Sequence, residues 1–329
     1  MLSLNRTQIK VLIPLLLVVL ILFPLFVRDE YVLNVAVMAG IYIILASSKN
    51  ITNGYAGVFS MGHSAFYGIG AYATGILAFH FGTGFWTGLL AAGVASVLFG
   101  LLLGIPTLRL KGIFFALITI SFVEILRLVN MNWISLTRGP MGIPGIPLPT
   151  IFGWTLSKNL HFYYFILAID VIVIFLIYRA INSRVGRAFM AIRDDDLAAS
   201  ALGIPTFQFR LLALSFSTFF SGIAGCFYAH YATYISADSF GLDETFIILT
   251  MMVVGGMGTI QGPIVGAILM VIFPEVFRFL LEYRMVAYGL ILILVILFLP
   301  EGLLGLPGIS GTEGLLAKLR KKSQQAQHE

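Results

Sequence analysis

The sequence predicts an all-α polytopic membrane protein: a bundle of about ten transmembrane helices, eight at the fewest, with both termini cytosolic. Three observations carry this. Of 329 residues, 59% are hydrophobic and only 11% charged, against about a quarter charged in soluble domains. Apolar runs near the roughly 20 residues needed to cross a bilayer recur from end to end. Lysine and arginine gather in alternate connections between those runs, as they do in cytoplasmic loops.

Taken in order, the predicted spans are 11–28, 31–49, 61–81, 85–106, 112–131, 161–180, 211–235, 244–257, 264–281 and 285–300. The first follows Arg6 and Lys10 like the core of a signal peptide, but Pro24 to Arg28 offers no small-residue cleavage site, so a retained helix is expected. The eighth is short and ends on Gly255-Gly256-Met257-Gly258. That pattern suits a short span, a broken helix or a re-entrant segment, which sets the range of eight to ten. With ten spans and both ends inside, fourteen basic residues fall in the cytosol, Lys49, Arg187 and Arg193 among them, and six fall outside or near the outer boundary. The chain thus reads as a single membrane domain, 1–329. It carries an external loop at 132–160, a cytosolic loop at 181–210 and a basic cytosolic tail at 306–329.

Several function classes are excluded. The basic residues sit at helix ends rather than in one patch, so nucleic-acid binding is not expected. Cys226 is the only cysteine and lies in an apolar run, and the five histidines are scattered without a metal or nucleophile motif, so neither a metal site nor enzymatic chemistry is predicted. The external loop holds TRGPMGIPGIPLP, whose glycines and prolines rule out a continuous helix and favour a stiff cover. Gly68, Ala71 and Gly75, and Gly255, Gly262 and Gly266, supply small residues for close helix packing or for hinges.

The cytosolic loop is the most informative stretch. Arg184 to Arg193 is a basic approach, after which Asp194, Asp195 and Asp196 precede LAASAL and Gly203. An aspartate caps a helix N-terminus and glycine closes a C-terminus, so about two helical turns are predicted. Leu197, Ala198, Ala201 and Leu202 form a narrow apolar stripe at i,i+4 spacing. So short a helix does not hold alone in water and must rest on the bundle's own cytosolic face or on a partner.

Within the spans, Glu124 has Arg127 at i+3, a spacing for an ion pair or for a lined pathway. Asp170, in the middle of the sixth span, needs either a partner on another helix or a role in proton coupling. Ser60, Gly62 and His63 stand where Gly54, Gly57 and Gly62 permit an unwound entry to the third span. Unwound backbone at that depth lines a cavity or is buried; the alternative is a cap at the membrane edge. Leu315, Leu316 and Leu319 with Lys318, Arg320, Lys321 and Lys322 suit a tail held at anionic lipid.

SRVGRAFMAIRDDDLAASALGI (183–204) resembles the coupling-loop signature of the permeases of ATP-binding-cassette importers for branched-chain amino acids, the LivM-like family. The general importer signature, Glu-Ala-Ala and later Gly, is met by Ala198, Ala199 and Gly203, with Leu197 standing where the family has Glu. GYAGVFSMGHSAFYGIGAYATG (54–75), the stretch 108–147, VVGGMGTIQGPIVGAIL (253–269) and YGLILILVILFLPEGLLG (288–305) match in type and order. The resemblance implies an importer permease bundle in the inner membrane of a prokaryote. It also implies a second related permease, two cytosolic ATPases, an extracytoplasmic solute-binding protein, and Arg187, Arg193, Asp194 to Ala199, Leu202 and Gly203 as the ATPase-coupling residues. The chain has no G-x-x-x-x-G-K-[ST] loop and is expected to bind no cofactor itself, ATP and Mg residing on the partners. Closely similar permeases serve urea, short amides and other amino acids, and an ion-coupled transporter or channel is the more distant alternative.

Overall fold

A computed structural model of the chain describes residues 20–24, 29–110, 112–151, 154–276, 284–299 and 302–303. The tail expected at 306–329, and all of the first span except 20–24, lie outside them. The described helices are α1 (Glu30–Asn50), α2 (His63–Phe81), α3 (Phe85–Thr107), α4 (Ile113–Asn132), α5 (Ile134–Thr137), α6 (Asn159–Ile181), α7 (Arg184–Asp194), α8 (Asp196–Ala201), α9 (Thr206–Ala232), α10 (Leu242–Gly255), α11 (Gln261–Val276) and α12 (Arg284–Phe298). Among the described residues, five segments are long and apolar enough to cross a membrane: Glu30–Tyr55, Phe85–Thr107, Ile113–Asn132, Asn159–Ile181 and Thr206–Ala232.

Helix α9 lies at the centre and packs on α1, α2 and α3. Backbones approach closely there: a Cβ at Gly70 would sit 2.4 Å from Gly222 O, and one at Gly225 would sit 2.2 Å from Tyr67 O. In lipid, where burial of apolar area does not drive association, such contact is what holds helices together. In a second group α10 and α11 pack on α1 and α12 packs on α10, and α6 covers α1 as well. Helix α4 is peripheral, and Ile113, Phe114, Leu117, Ile125 and Leu128 form an exposed apolar stripe suited to lipid.

The segment between α4 and α6 is not a continuous helix, and it holds a detail the all-helical expectation omitted. Pro140, Pro144, Pro147 and Pro149 prevent a helix, and short ladders form instead. Strand β1 (Ile143–Pro144) pairs antiparallel with β4 (Tyr234–Ile235), and β2 (Thr150–Ile151) pairs with β3 (Trp154–Thr155).

Two expectations about the spans are corrected. The second does not end at Lys49: α1 runs on into a π-helical turn, Ile51–Tyr55. Nor does Lys49 lie at the cytosolic surface; its side chain is fully buried in the bundle. The eighth segment, 14 residues long, is one arm of a tight helical hairpin with α11. A Cβ at Gly255 would lie 1.8 Å from Gly262 O, and one at Gly266 would lie 1.8 Å from Met251 O, so only hydrogen fits at either position.

Candidate functional site

The site is built where α1 ends. From Ile44 to Ala56 every residue is buried, yet the stretch includes Ser47, Ser48, Lys49, Asn50, Thr52 and Asn53. Buried polar groups require partners, and breaking the helix twice supplies them to Lys49, Asn50 and Asn53, while Ser47 Oγ has none among the described residues. The π-turn at Ile51–Tyr55 is the first break, a kind of irregularity often found at functional sites. The second is the non-helical stretch 57–62, after which α2 begins at His63 with Gly62 as its N-cap.

The exposed main chain of that stretch is held by side chains. Ser60 O accepts from Lys49 Nζ (3.1 Å) and from Asn53 Nδ2 (3.1 Å), while Ser60 N donates to Asn53 Oδ1 (3.3 Å). Met61 N donates to Thr119 Oγ1 (2.9 Å) and Gly62 N to Ser60 Oγ (3.4 Å). His63 Nε2 lies 2.8 Å from Ser48 Oγ, whose hydroxyl donates to Leu45 O (2.9 Å); a proton on Nε2 satisfies both contacts. His63 is therefore inside the bundle and bonded to α1. Ser217 Oγ donates to Ser48 O (2.8 Å), tying α9 to the same cluster.

The residues of the 181–210 segment extend this cluster. Ser183 caps α7 by accepting from Val185 N (3.1 Å), and Asp195 caps α8 with Oδ1 accepting from Leu197 N (2.9 Å) and Ala198 N (3.0 Å). Of the three consecutive aspartates, Asp195 is thus the cap. Asp196 pairs with Arg210 on α9 at 2.9 Å, and Asp194 Oδ1 accepts from Arg193 Nε (3.1 Å) and Nη2 (3.0 Å). Gly203 closes α8 at φ +83°, in the left-handed region.

Only Ala199 of α8 is buried against the bundle. Leu197 and Leu202 are 77% and 83% exposed, and Ala198 and Ala201 are also open. The apolar stripe therefore faces away from the chain's own surface. Arg187 is likewise exposed.

Arg193 joins the two parts. Its Nη1 donates to Gly54 O in the π-turn (3.0 Å), freed from regular helix bonding, and a Cβ on Gly258 would lie 2.9 Å from Nη1. Asn50 completes the junction: Nδ2 donates to Thr259 O (2.7 Å) and Oδ1 accepts from Gly258 N (2.9 Å). The α7–α8 unit, the π-turn and the α10–α11 turn thus meet at one point.

The remaining predicted residues lie elsewhere. Arg127 bridges Glu124 (2.7 Å) and Asp238 (2.8 Å) at a partly exposed position of α4, away from Lys49 and His63. Asp170 is buried at 6% exposure, its Oδ2 2.9 Å from where a Cβ on Gly40 would stand; Oδ1 has no hydrogen-bond partner among the described residues. Lys49, Asn50 and Asn53 were missed as site residues. Their signal was present: a run of six polar side chains from Ser47 to Asn53, interrupted only by Ile51, inside an otherwise apolar segment.

The chain matches the family described as branched-chain amino acid transport system, permease component, over residues 31–299. It is 35% identical over 312 residues to the high-affinity branched-chain amino acid transport system permease protein LivM of Salmonella typhimurium, covering 88% of this chain and 73% of that one. LivM of Escherichia coli K12 is 34% identical with the same coverage, and LivH of that organism is 27% identical over 307 residues, covering 85% and 96%. No solved structure matches the chain.

Proposed function

Because the chain belongs to the family of branched-chain amino acid transport system permease components, we propose that it is the membrane permease subunit of an ATP-binding-cassette importer for leucine, isoleucine and valine. The subunit does mechanics and its partners do chemistry. It pairs with a second, related permease, as the likeness to both LivM and LivH supports. Two cytosolic ATPases bind ATP and Mg, and an extracytoplasmic solute-binding protein delivers the substrate. In this reading the chain crosses a prokaryotic inner membrane ten times with both ends in the cytosol.

The observation that carries the proposal is the outward-facing stripe Leu197, Ala198, Ala201 and Leu202 on a capped helix. An exposed apolar surface on a rigid projection calls for a protein groove to cover it. Closure of the ATPases on nucleotide displaces α8, and α7 moves with it. Arg193 passes the displacement to Gly54 O, and Asn50 passes it to Gly258 and Thr259. A break in α1 and the turn between α10 and α11 therefore shift together, as an alternation between outward-open and inward-open forms requires.

The test is uptake of labelled leucine into proteoliposomes. Uptake is expected only with ATP, both permeases, the ATPases and the binding protein. Gradient-driven uptake by this chain alone would overturn the proposal.

A further inference from the structure

Lys49 is among the largest fully buried side chains of the described residues, with 0% exposure. Its ammonium has three donors, and among the described residues one is used, toward Ser60 O at 3.1 Å. Among the described residues it forms no ion pair, since the carboxylates that do pair, Glu124, Asp194, Asp196 and Asp238, bind arginines. A buried charge without a counter-charge is among the costliest arrangements in a protein. In a membrane span such a residue commonly marks a substrate pathway.

A purely structural role does not require the charge. Asn53 already donates to the same Ser60 carbonyl at 3.1 Å and accepts from Ser60 N, so the non-helical stretch is held without the lysine. The surrounding groups are neutral acceptors or are already engaged: His63 with Ser48, Asn53 with Ser60. Among the described residues the ammonium therefore lacks an anion, and it sits at the foot of a stretch, 57–62, whose backbone no helix constrains.

We propose that Lys49 binds the carboxylate of the transported amino acid. The Ser60 carbonyl occupies that place in the closed arrangement and is exchanged for the substrate carboxylate when the 57–62 stretch withdraws. The exchange is placed to respond to the ATPases, because Gly54 O, one and a half turns further along the same helix, is held by Arg193 of the coupling unit. The assignment rests on the amino-acid import proposed above.

The test uses the complete transporter in proteoliposomes with leucine-loaded binding protein, comparing the wild type with Lys49→Met and Lys49→Arg. Lys49→Met is expected to lower leucine uptake about tenfold or more, the loss of a hydrogen-bonded charge. The thermal midpoint is unchanged or raised, because an uncompensated charge has been removed. Lys49→Arg restores most of the uptake. Unchanged uptake by Lys49→Met overturns the assignment. So does a parallel fall in uptake and thermal midpoint, which marks a structural lysine. Failure of the wild-type complex to import leucine overturns the functional reading, and the assignment with it.

Discussion

Replacing Leu197 and Leu202 together by alanine removes the side chains that project furthest from α8 while leaving its cap and backbone intact. Each change deletes three carbons, and full burial of one methylene is worth about 0.8 kcal/mol. With 77% and 83% of the two side chains exposed in the chain alone, nearly all of that surface is available to be covered by a partner. The expected loss is about 2 kcal/mol of docking energy per leucine, or about 30-fold in affinity. The pair together reaches about 10³-fold if the two add. The permease itself should be unaffected, since surface changes that touch no cap or core stay within about 0.5 kcal/mol. Binding of the purified ATPases to the detergent-solubilised permease pair, followed by titration, measures the first quantity. The thermal midpoint of the permease pair measures the second. Unchanged ATPase affinity in the double variant would refute the reasoning, because α8 would then have no apolar partner. A fall in both quantities would show instead that the stripe is part of the permease core.

Three further outcomes follow from the same contacts. Asp195→Ala removes the oxygen that accepts from Leu197 N and Ala198 N; it should cost about 1 kcal/mol locally and weaken stimulation of ATP hydrolysis by loaded binding protein, with Asp195→Ser restoring it. Arg193→Met cuts the link to Gly54 O while leaving α8 in place, so ATPase binding should persist and leucine uptake fall; equal loss of both would refute the link. Gly255→Val places a side chain where a Cβ already lies 1.8 Å from Gly262 O. It should lower stability by about 1–3 kcal/mol or more, read as a lower thermal midpoint of the detergent-solubilised protein.

Much of the helical layout was legible because a span is declared by length and apolarity alone. The end of α10 at Gly255 and the cap at Asp195 were legible too, since glycine pairs and aspartates before small apolar residues act through local backbone chemistry. Lys49 was not. Counting basic residues by loop treats any lysine beside an apolar run as a topology signal, and only three-dimensional packing reveals that this run continues to Tyr55. In the sequence Arg193 reads as part of a basic approach to the short helix, whereas its partner, Gly54 O, is a carbonyl 139 residues away. A main-chain acceptor freed by a π-turn leaves no mark in a sequence. The direction of the α8 stripe was undecidable for the same reason: spacing shows that a stripe exists, and only the burial of Ala199 beside the exposure of Leu197 and Leu202 shows which way it looks.

The bonds made by Asn50 also bear on the order in which the chain is assembled. Its carboxamide meets Gly258 N and Thr259 O as a neighbouring peptide group would, across 208 and 209 positions of sequence. The turn between α10 and α11 therefore borrows its last donor and acceptor from a helix synthesised long before it. Main-chain groups left unpaired at membrane depth are costly, and chains emerge from the ribosome N-terminal end first. The late hairpin is thus completed only against an α1 already seated in the bilayer, and a variant such as Asn50→Leu should leave the early helices inserted while the C-terminal hairpin becomes open to protease.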